Sequence, residues 1–409
     1  MAKNKKKKNK TNKTNKPNKQ RDIKDFFSMK EVLVITVMAI IFGWFMGSII
    51  TSKTAKVNES EDIKKFTNVY NHIANNYYKK VDRKKLVESA INGMLNDLDD
   101  PYTSYMDEEE TDSFNRIMDG EYKGVGVSIV KYKEDIIIIG AFKGSPAQVA
   151  GIKAGDIILE IDGKSFKNKD ADDVIKEVQN KKEIEIKIKR KEEEKTFKIK
   201  VKKVEIPSVS SEVIEKNGEK VGVISISVFA LNTSTQFKKE LQSLEKKNIK
   251  SYILDLRSNP GGYLTEATNI LSEFMDSSHV IYQIKTKKRT EKFYSEGKKN
   301  KNYKVVVLLD ENSASASEVV AAALKESYGA TIVGKKSYGK GTVQRTAKIT
   351  GGGTIKYTIE NWLTPKGNYI NKKGIEPSVE VDLNEDYYDE PTNDNDNQLQ
   401  KALELITKK

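Results

Sequence analysis

A serine and a lysine carry the chemistry this sequence offers. Ser315 lies in N-S-A-S-A-S-E-V-V-A-A-A-L (Asn312–Leu324), and Lys340 lies in S-Y-G-K-G-T-V-Q (Ser337–Gln344). Val305–Leu309 is a short apolar run rich in β-branched residues, the pattern of a buried strand, and Val319–Leu324 reads as helix. Ser315 then stands at a helix start, where unpaired N–H groups and the helix dipole favour negative charge. A tetrahedral intermediate carries such charge, and the Ala316 amide could face it. Ser315-x-x-Glu318 is equally a capping box, with Glu318 reaching back to the cap. Lys340 sits between Gly339 and Gly341. If it begins a strand, Lys340, Thr342 and Gln344 share one face. A lysine acts as a base only when burial or a nearby cation lowers its pKa.

The two stretches in this order resemble the C-terminal processing peptidases, or tail-specific proteases, which are serine–lysine endopeptidases with a PDZ domain. The resemblance implies Ser315 as nucleophile, Lys340 as general base and Gln344 as the amide that orients the lysine, with Ser313 and Ser317 as bystanders. A third motif, Asp255-Leu256-Arg257-Ser258-Asn259-Pro260-Gly261-Gly262, lies upstream. By itself Pro-Gly is a type II turn signal. The family implies that the Gly261 amide joins that of Ala316 in an oxyanion hole, with Gly262 the alternative one register on. Leu363-Thr364-Pro365-Lys366-Gly367 and Gly374-Ile375-Glu376-Pro377 resemble the family's last element.

The elements that position these residues follow a βαβ pattern from Val204. Val221–Val228 and Tyr252–Leu256 read as strands around a helix at Asn232–Lys247, and Gly353–Trp362 reads as a later strand. Upstream, Gly124–Lys203 alternates like short strands with one helix, Asp170–Asn180, whose Val174 and Val178 face inward. Gly124-Val125-Gly126-Val127 followed by S-P-A-x-x-A-G-I-x-x-G-D resembles a PDZ domain. That resemblance implies that Gly124, Val125, Gly126 and Val127 offer amides to a peptide's terminal carboxylate, and that the peptide adds as a strand beside Val127–Val130. Before it, 59–115 reads as mostly helical. Phe66, Val69, Tyr70, Ile73 and Tyr77 form one apolar stripe, and Asp99-Asp100-Pro101-Tyr102 breaks a second helix. The Gly93-Met94-Leu95…Tyr102 pattern also resembles the family; no chemistry is assigned to it.

Composition bounds the rest. The 409 residues contain no cysteine, which excludes disulfides, thiolate catalysis and cysteine-ligated zinc. With two histidines, His72 and His279, a three-histidine metal site is impossible. The mechanism calls for no metal and no cofactor. Residues 1–31 form a basic tail read as disordered and cytoplasmic. Val32–Ile50 is 19 residues without charge, about 28 Å as a helix, enough for one hydrocarbon core. The excess of lysine before it predicts a single-pass cell-membrane anchor with the catalytic part extracytoplasmic; a cleaved signal peptide is the alternative. Residues 1–50 carry 12 basic and three acidic residues, the remainder 60 and 56, so nothing beyond the tail calls for nucleic acid. Glu380–Asp396 has eight acids and no Lys or Arg and reads as solvated. A short helix at Gln398–Ile406 shows a Leu399, Leu403, Ile406 stripe that suggests a partner subunit, hence a homodimer; Gly43-x-x-x-Gly47 is a second, weaker motive.

The expected fold class is α/β multidomain: a tail at 1–31, a transmembrane helix at 32–50, a helical N-terminal region at 59–115, a PDZ domain (a β-rich, partly open barrel with helices) at 116–203, an α/β crotonase-like serine peptidase core at 204–382, and an acidic tail with a short helix at 383–409. The expected function is a membrane-anchored serine endopeptidase that takes protein substrates by their C-termini. A catalytically inactive PDZ scaffold at the membrane and a crotonase-like hydratase are the rival readings.

Overall fold

Hydrophobic period decides the architecture. A computed structural model describes residues 60–286 and 289–408; the expected anchor at 32–50 and the Gly43–Gly47 pair lie outside them. The chain divides into two compact units at Ser89/Ala90. In the first, helix α1 (Glu61–Asn76) is capped by Ser60, and its apolar stripe is solvent-facing, with Phe66, Val69 and Ile73 all exposed. Helix α2 (Arg83–Asn96) follows.

The second unit takes in the end of α2 and continues with strand β1 (Ser104–Met106) and helix α3 (Glu108–Asp119), which opens on an Asp107/Glu110 capping box. A β-rich body comes next: β2 (Glu121–Gly124), β3 (Val127–Tyr132), β4 (Asp135–Ala141), α4 (Pro146–Ala150), β5 (Ile157–Ile161), β6 (Lys164–Ser165), α5 (Ala171–Gln179), β7 (Glu183–Arg190), β8 (Glu193–Lys200) and β9 (Lys202–Glu205). The strands run in the order β3-β4-β5-β7-β8, so β3 is an edge strand. Alternation sets the inner face: Ile184, Ile186 and Ile188 are buried while Glu183 before them and Glu185 between the first two are exposed. Val174 and Val178 of α5 join that core.

The remaining elements are β10 (Val209–Lys216), β11 (Glu219–Ile226), α6 (Thr233–Glu245), β12 (Ser251–Asp255), α7 (Leu264–Leu271), β13 (Val280–Lys285), β14 (Thr290–Tyr294), β15 (Lys304–Leu309), α8 (Ala316–Ala323), β16 (Thr331–Gly334), β17 (Thr342–Lys348), β18 (Thr354–Leu363), β19 (Val379–Glu380), α9 (Glu385–Asp389) and α10 (Asn397–Ile406). A six-stranded sheet, β10-β11-β12-β15-β16-β19, is parallel from β11 onward. Val305, Val307 and Leu309 point to the core under α6, α7 and α8, and Val306 and Leu308 point to the opposite core. The run is apolar throughout because both faces of a parallel sheet are covered. A second sheet, β1-β18-β13-β14 with β17 on β18, stands beside it.

The C-terminus corrects the sequence reading. Leu399, Leu403 and Ile406 of α10 cover the second face of this chain's own sheet, so that stripe is no partner surface. Asp396, expected in a solvated tail, is 3% exposed. Its carboxylate caps α10 at the Leu399 N–H and pairs with Arg257 at 2.7 Å. An acidic run docks here because one of its acids meets a buried guanidinium that Asp255 also holds.

Candidate active site

Three neighbouring parallel strands, β12, β15 and β16, deliver the three motifs from their C-terminal ends, the position where open α/β sheets bind ligands. The Asp255–Gly262 loop follows β12, Ser315 follows β15 and the Lys340 loop follows β16. Hydrogen bonds lace the first two loops together. Ala314 N–H and Ser317 Oγ both donate to Asn259 O, at 3.0 and 2.9 Å. Ser313 Oγ donates to Leu256 O at 2.9 Å. Ser313 and Ser317 are therefore fasteners of the Ser315 loop.

Ser315 is half-buried and its backbone lies at φ 56°, ψ −114°. An ordinary N-cap has an extended backbone. A non-glycine residue held at positive φ costs about 1–3 kcal/mol and persists only where its surroundings enforce it. What enforces it here is partly Glu318. Ser315 N–H donates to Glu318 Oε2 at 2.8 Å; the hydroxyl's return contact to the Glu318 N–H is looser than a hydrogen bond. The capping box read from the sequence is thus present, with the hydroxyl half the looser of the two.

Glu318 does more than cap. It is fully buried and accepts four hydrogen bonds: Ser315 N–H, Ser337 Oγ–H at 2.6 Å, Gly339 N–H at 2.7 Å and Lys340 N–H at 2.8 Å. One carboxylate therefore fixes both the serine turn and the lysine loop. Burial pushes its pKa up, and the four donors pull against that. Three of the four are backbone N–H groups, which cannot accept, so the carboxylate form is the one this socket satisfies. The sequence showed Glu318 only as the cap's partner; nothing local announced the other three donors.

The lysine loop is pinned on its far side as well. Gly339 (φ 89°) packs so closely on 373–374 that a Cβ would lie 2.9 Å from two backbone nitrogens, and its carbonyl accepts Lys372 N–H at 2.8 Å. Tyr338 N–H donates to Ser313 O at 3.0 Å, a second tie between the loops. Lys340 Nζ makes no hydrogen bond or ion pair among the described residues. It lies 5.1 Å from the centre of the Tyr102 ring. Burial, and then Lys356, lower its pKa, against opposing pulls from Glu318 and Asp100. Gln344 is not bonded to Lys340. Its amide nitrogen donates to Thr342 Oγ1 at 2.7 Å and Thr358 Oγ1 at 3.3 Å.

The glycine turn sits against the serine. A Cβ on Gly261 would come within 2.8 Å of Ala314 O and of Ser315 Cβ. Gly261 N–H is engaged, donating to Asn259 Oδ1 at 2.9 Å. The amides of Gly262 and Ala316 take no partner among the described residues. An unengaged N–H next to a half-exposed hydroxyl, as at Ala316, can stabilise an oxyanion.

In the β-rich body, Gly124, Val125, Gly126 and Val127 form the turn from β2 into the edge strand β3, with Gly126 at φ 83°. The Val125 and Gly126 carbonyls accept Ala147 and Phe142 N–H, both at 2.9 Å. Val127 and Ile129 are partly buried beside Val174 and Val178. Neither histidine enters these sites by its bonds; His279 Nδ1 lies 3.0 Å from Asp276 Oδ1 in its own turn.

Parallel-sheet core, loop-borne serine and edge-strand module define a serine-type endopeptidase with a PDZ domain, and known proteins agree. Residues 220–381 match peptidase family S41, 138–190 match the PDZ domain, and 46–111 match the activating protease CtpB N-terminal domain. The carboxy-terminal processing protease CtpA of Bacillus subtilis (strain 168) is 36% identical over 364 residues, 89% of this chain and 78% of that protein. CtpB of the same organism is 40% identical over 335 residues, 80% and 70%. An S41-type structure from Bacteroides fragilis NCTC 9343 shares the fold at TM-score 0.53 and 16% identity, over 81% of this chain and 91% of that one. The chain belongs to peptidase family S41, among the C-terminal processing peptidases that carry a PDZ domain.

Proposed function

We propose that the peptidase works through Ser315 and Lys340. The observation that carries this is the shared anchor: Glu318 Oε2 accepts the backbone N–H of both residues at 2.8 Å. Neutral Lys340 takes the Ser315 hydroxyl proton as Oγ attacks the peptide carbonyl. Ala316 N–H and an N–H of the Gly261–Gly262 turn receive the oxyanion; Gly262 is the donor favoured, since Asn259 holds Gly261. Lys340 then gives its proton to the leaving amine, and water cleaves the acyl-enzyme. Serine–lysine pairs are a known variant of the triad logic. For Gln344 to orient the lysine, as the family resemblance implies, its amide must leave Thr342. A fluorophosphonate probe tests the reading: Ser315 should be the labelled residue, and Lys340→Ala should abolish labelling. Label on another serine would refute it.

The PDZ domain is read as the receptor for a substrate's C-terminus. Gly124–Val127 meets the carboxylate, the free edge of β3 takes the peptide as an added strand, and the apolar wall of Val127, Ile129, Val174 and Val178 takes its last side chain. A fluorescent peptide with an apolar C-terminus should bind, and its C-terminal amide should not.

Residues 32–50 are read as the single membrane anchor, with the tail cytoplasmic and the rest extracytoplasmic. The uncharged 19-residue run and the basic residues before it support this. No helix among the described residues is long and apolar enough to cross a membrane. Protease added outside intact cells should digest the peptidase region of an anchored chain; full protection would refute the orientation.

A further inference from the structure

The turn Asp100–Thr103 looked, in the sequence, like a helix breaker without chemistry. Strand pairing gives it a place. It runs directly into β1, which pairs with β18 in the register Ser104↔Lys356. That pairing carries the Tyr102 ring onto the lysine loop, 5.1 Å from Lys340 Nζ and edge-on to Tyr338 with ring centres 6.4 Å apart. The turn is well fixed. Asp100 accepts Tyr102 N–H at 3.0 Å and Thr103 Oγ1–H at 2.7 Å, and Thr103 Oγ1 accepts Thr358 N–H at 3.2 Å from β18.

We propose that Tyr102 and Asp100 are positioning residues for Lys340: the ring closes one face of the lysine's end to water, and Asp100 both holds the ring's turn in place and sets a carboxylate within electrostatic reach of the amine. This rests on Lys340 being the general base.

The ring acts on the lysine in two opposing ways. Its π face attracts the ammonium, while the water it displaces would have stabilised that charge. Burial is the largest influence on Lys340 and lowers its pKa; we take the ring's share of that burial to outweigh its π attraction, so that it favours the neutral amine. Among the described residues, the charged or titratable groups that act on Lys340 are Lys356 of β18, Glu318 of α8, and Asp100 and Tyr102 of the turn. Asp100 favours the protonated lysine. Burial raises the pKa of Asp100 itself, but its hydrogen bonds carry it below the usual carboxylate value, so it is charged at neutral pH. The Tyr102 phenol, pushed up to about 12 by burial and its neighbour Tyr338, stays neutral where the enzyme is assayed.

The two residues thus have opposite signs, which a pH profile separates. The full chain is assayed on an unfolded protein with an apolar C-terminus, and kcat/KM is followed against pH. Tyr102→Phe keeps the ring and should overlay the parent. Tyr102→Ala should move the rising limb up by about one pH unit, about a tenfold loss below the limb that recovers above it. Asp100→Asn keeps an acceptor oxygen for the Tyr102 N–H, turns an NH2 toward Thr103 Oγ1 in place of the second oxygen, loses the charge, and should move the limb down. A Tyr102→Ala limb that coincides with the parent's, or a loss equal at every pH, overturns the proposal. If Tyr102→Ala shows no cooperative melting, Asp100→Asn decides alone, and an unmoved limb overturns it. Lys340→Ala runs beside them. An active Lys340→Ala removes the base reading and this inference with it; an inactive one beside an unmoved Tyr102→Ala limb overturns the inference only.

Discussion

Glu318 accepts the backbone N–H of Lys340 through the same carboxylate oxygen that accepts the N–H of Ser315, each at 2.8 Å. The two residues proposed to react come from loops after different strands, so this shared oxygen aligns them independently of their own side chains. Glu318→Gln puts an NH2 where two of the four donors point. Each buried donor left unpaired costs about 1–3 kcal/mol. We expect a melting temperature lower by several degrees and turnover lower by more than about tenfold, measured by calorimetry and peptide cleavage.

Gly261 is a position where a methyl group has nowhere to go. Its φ is 101°, and a Cβ would meet Ala314 O and Ser315 Cβ at 2.8 Å. Gly261→Ala should displace the turn that carries the proposed oxyanion donor, with a loss in kcat of about a hundredfold. KM should change little if the substrate is held mainly elsewhere.

Lys340 sets a pH dependence of stability with a definite sign. Its folded pKa is depressed below the unfolded value of about 10.4. Between the two pKa values the unfolded chain binds more protons than the folded one, so stability rises with pH across that window. Below the folded pKa the cost of holding the buried cation is full. Lys340→Met should therefore melt higher than the parent at pH 7, and the difference should shrink as pH approaches 10.4, while activity is lost throughout. Thermal melts at several pH values check it.

The C-terminal helix belongs to the same machinery. Asp396 holds Arg257 in the loop that leads to Gly261, and it caps α10. Removing one partner of so buried a pair costs about 3–5 kcal/mol, moderated here because Asp255 still holds Arg257. Asp396→Ala should lower both stability and turnover. Leu403→Ala, a fully buried site on the same helix, should lower stability by about 2–5 kcal/mol and leave the Arg257 pairing intact. Melting and kcat measured together separate the two.

Much of this was legible because it is local. Val305–Leu309 shows a doubly covered strand by composition alone, and Ser315 with Glu318 shows a helix start by spacing. The strands of the PDZ domain announce themselves by alternation. What stayed hidden depends on distant pairing. Tyr102 reaches Lys340 only because β1 pairs with β18 across some 250 residues of chain, and no pattern near Asp100 encodes that. Asp396 sits in a run of acids that reads as solvated, because the sequence does not show Arg257 waiting for it. Gln344 is a further case: Lys340 lies before the strand, which starts at Thr342 and is bulged between Val343 and Gln344, so period-two alternation does not carry one face from Lys340 to Gln344, and the amide bonds Thr342 and Thr358 instead.

The most direct measurement is cleavage of an unfolded protein with an apolar C-terminus by the full chain, beside Ser315→Ala and Lys340→Ala chains of equal melting temperature. Cleavage by the parent and by neither variant is the predicted result. Equal cleavage by all three would place the chemistry elsewhere and contradict the serine–lysine site.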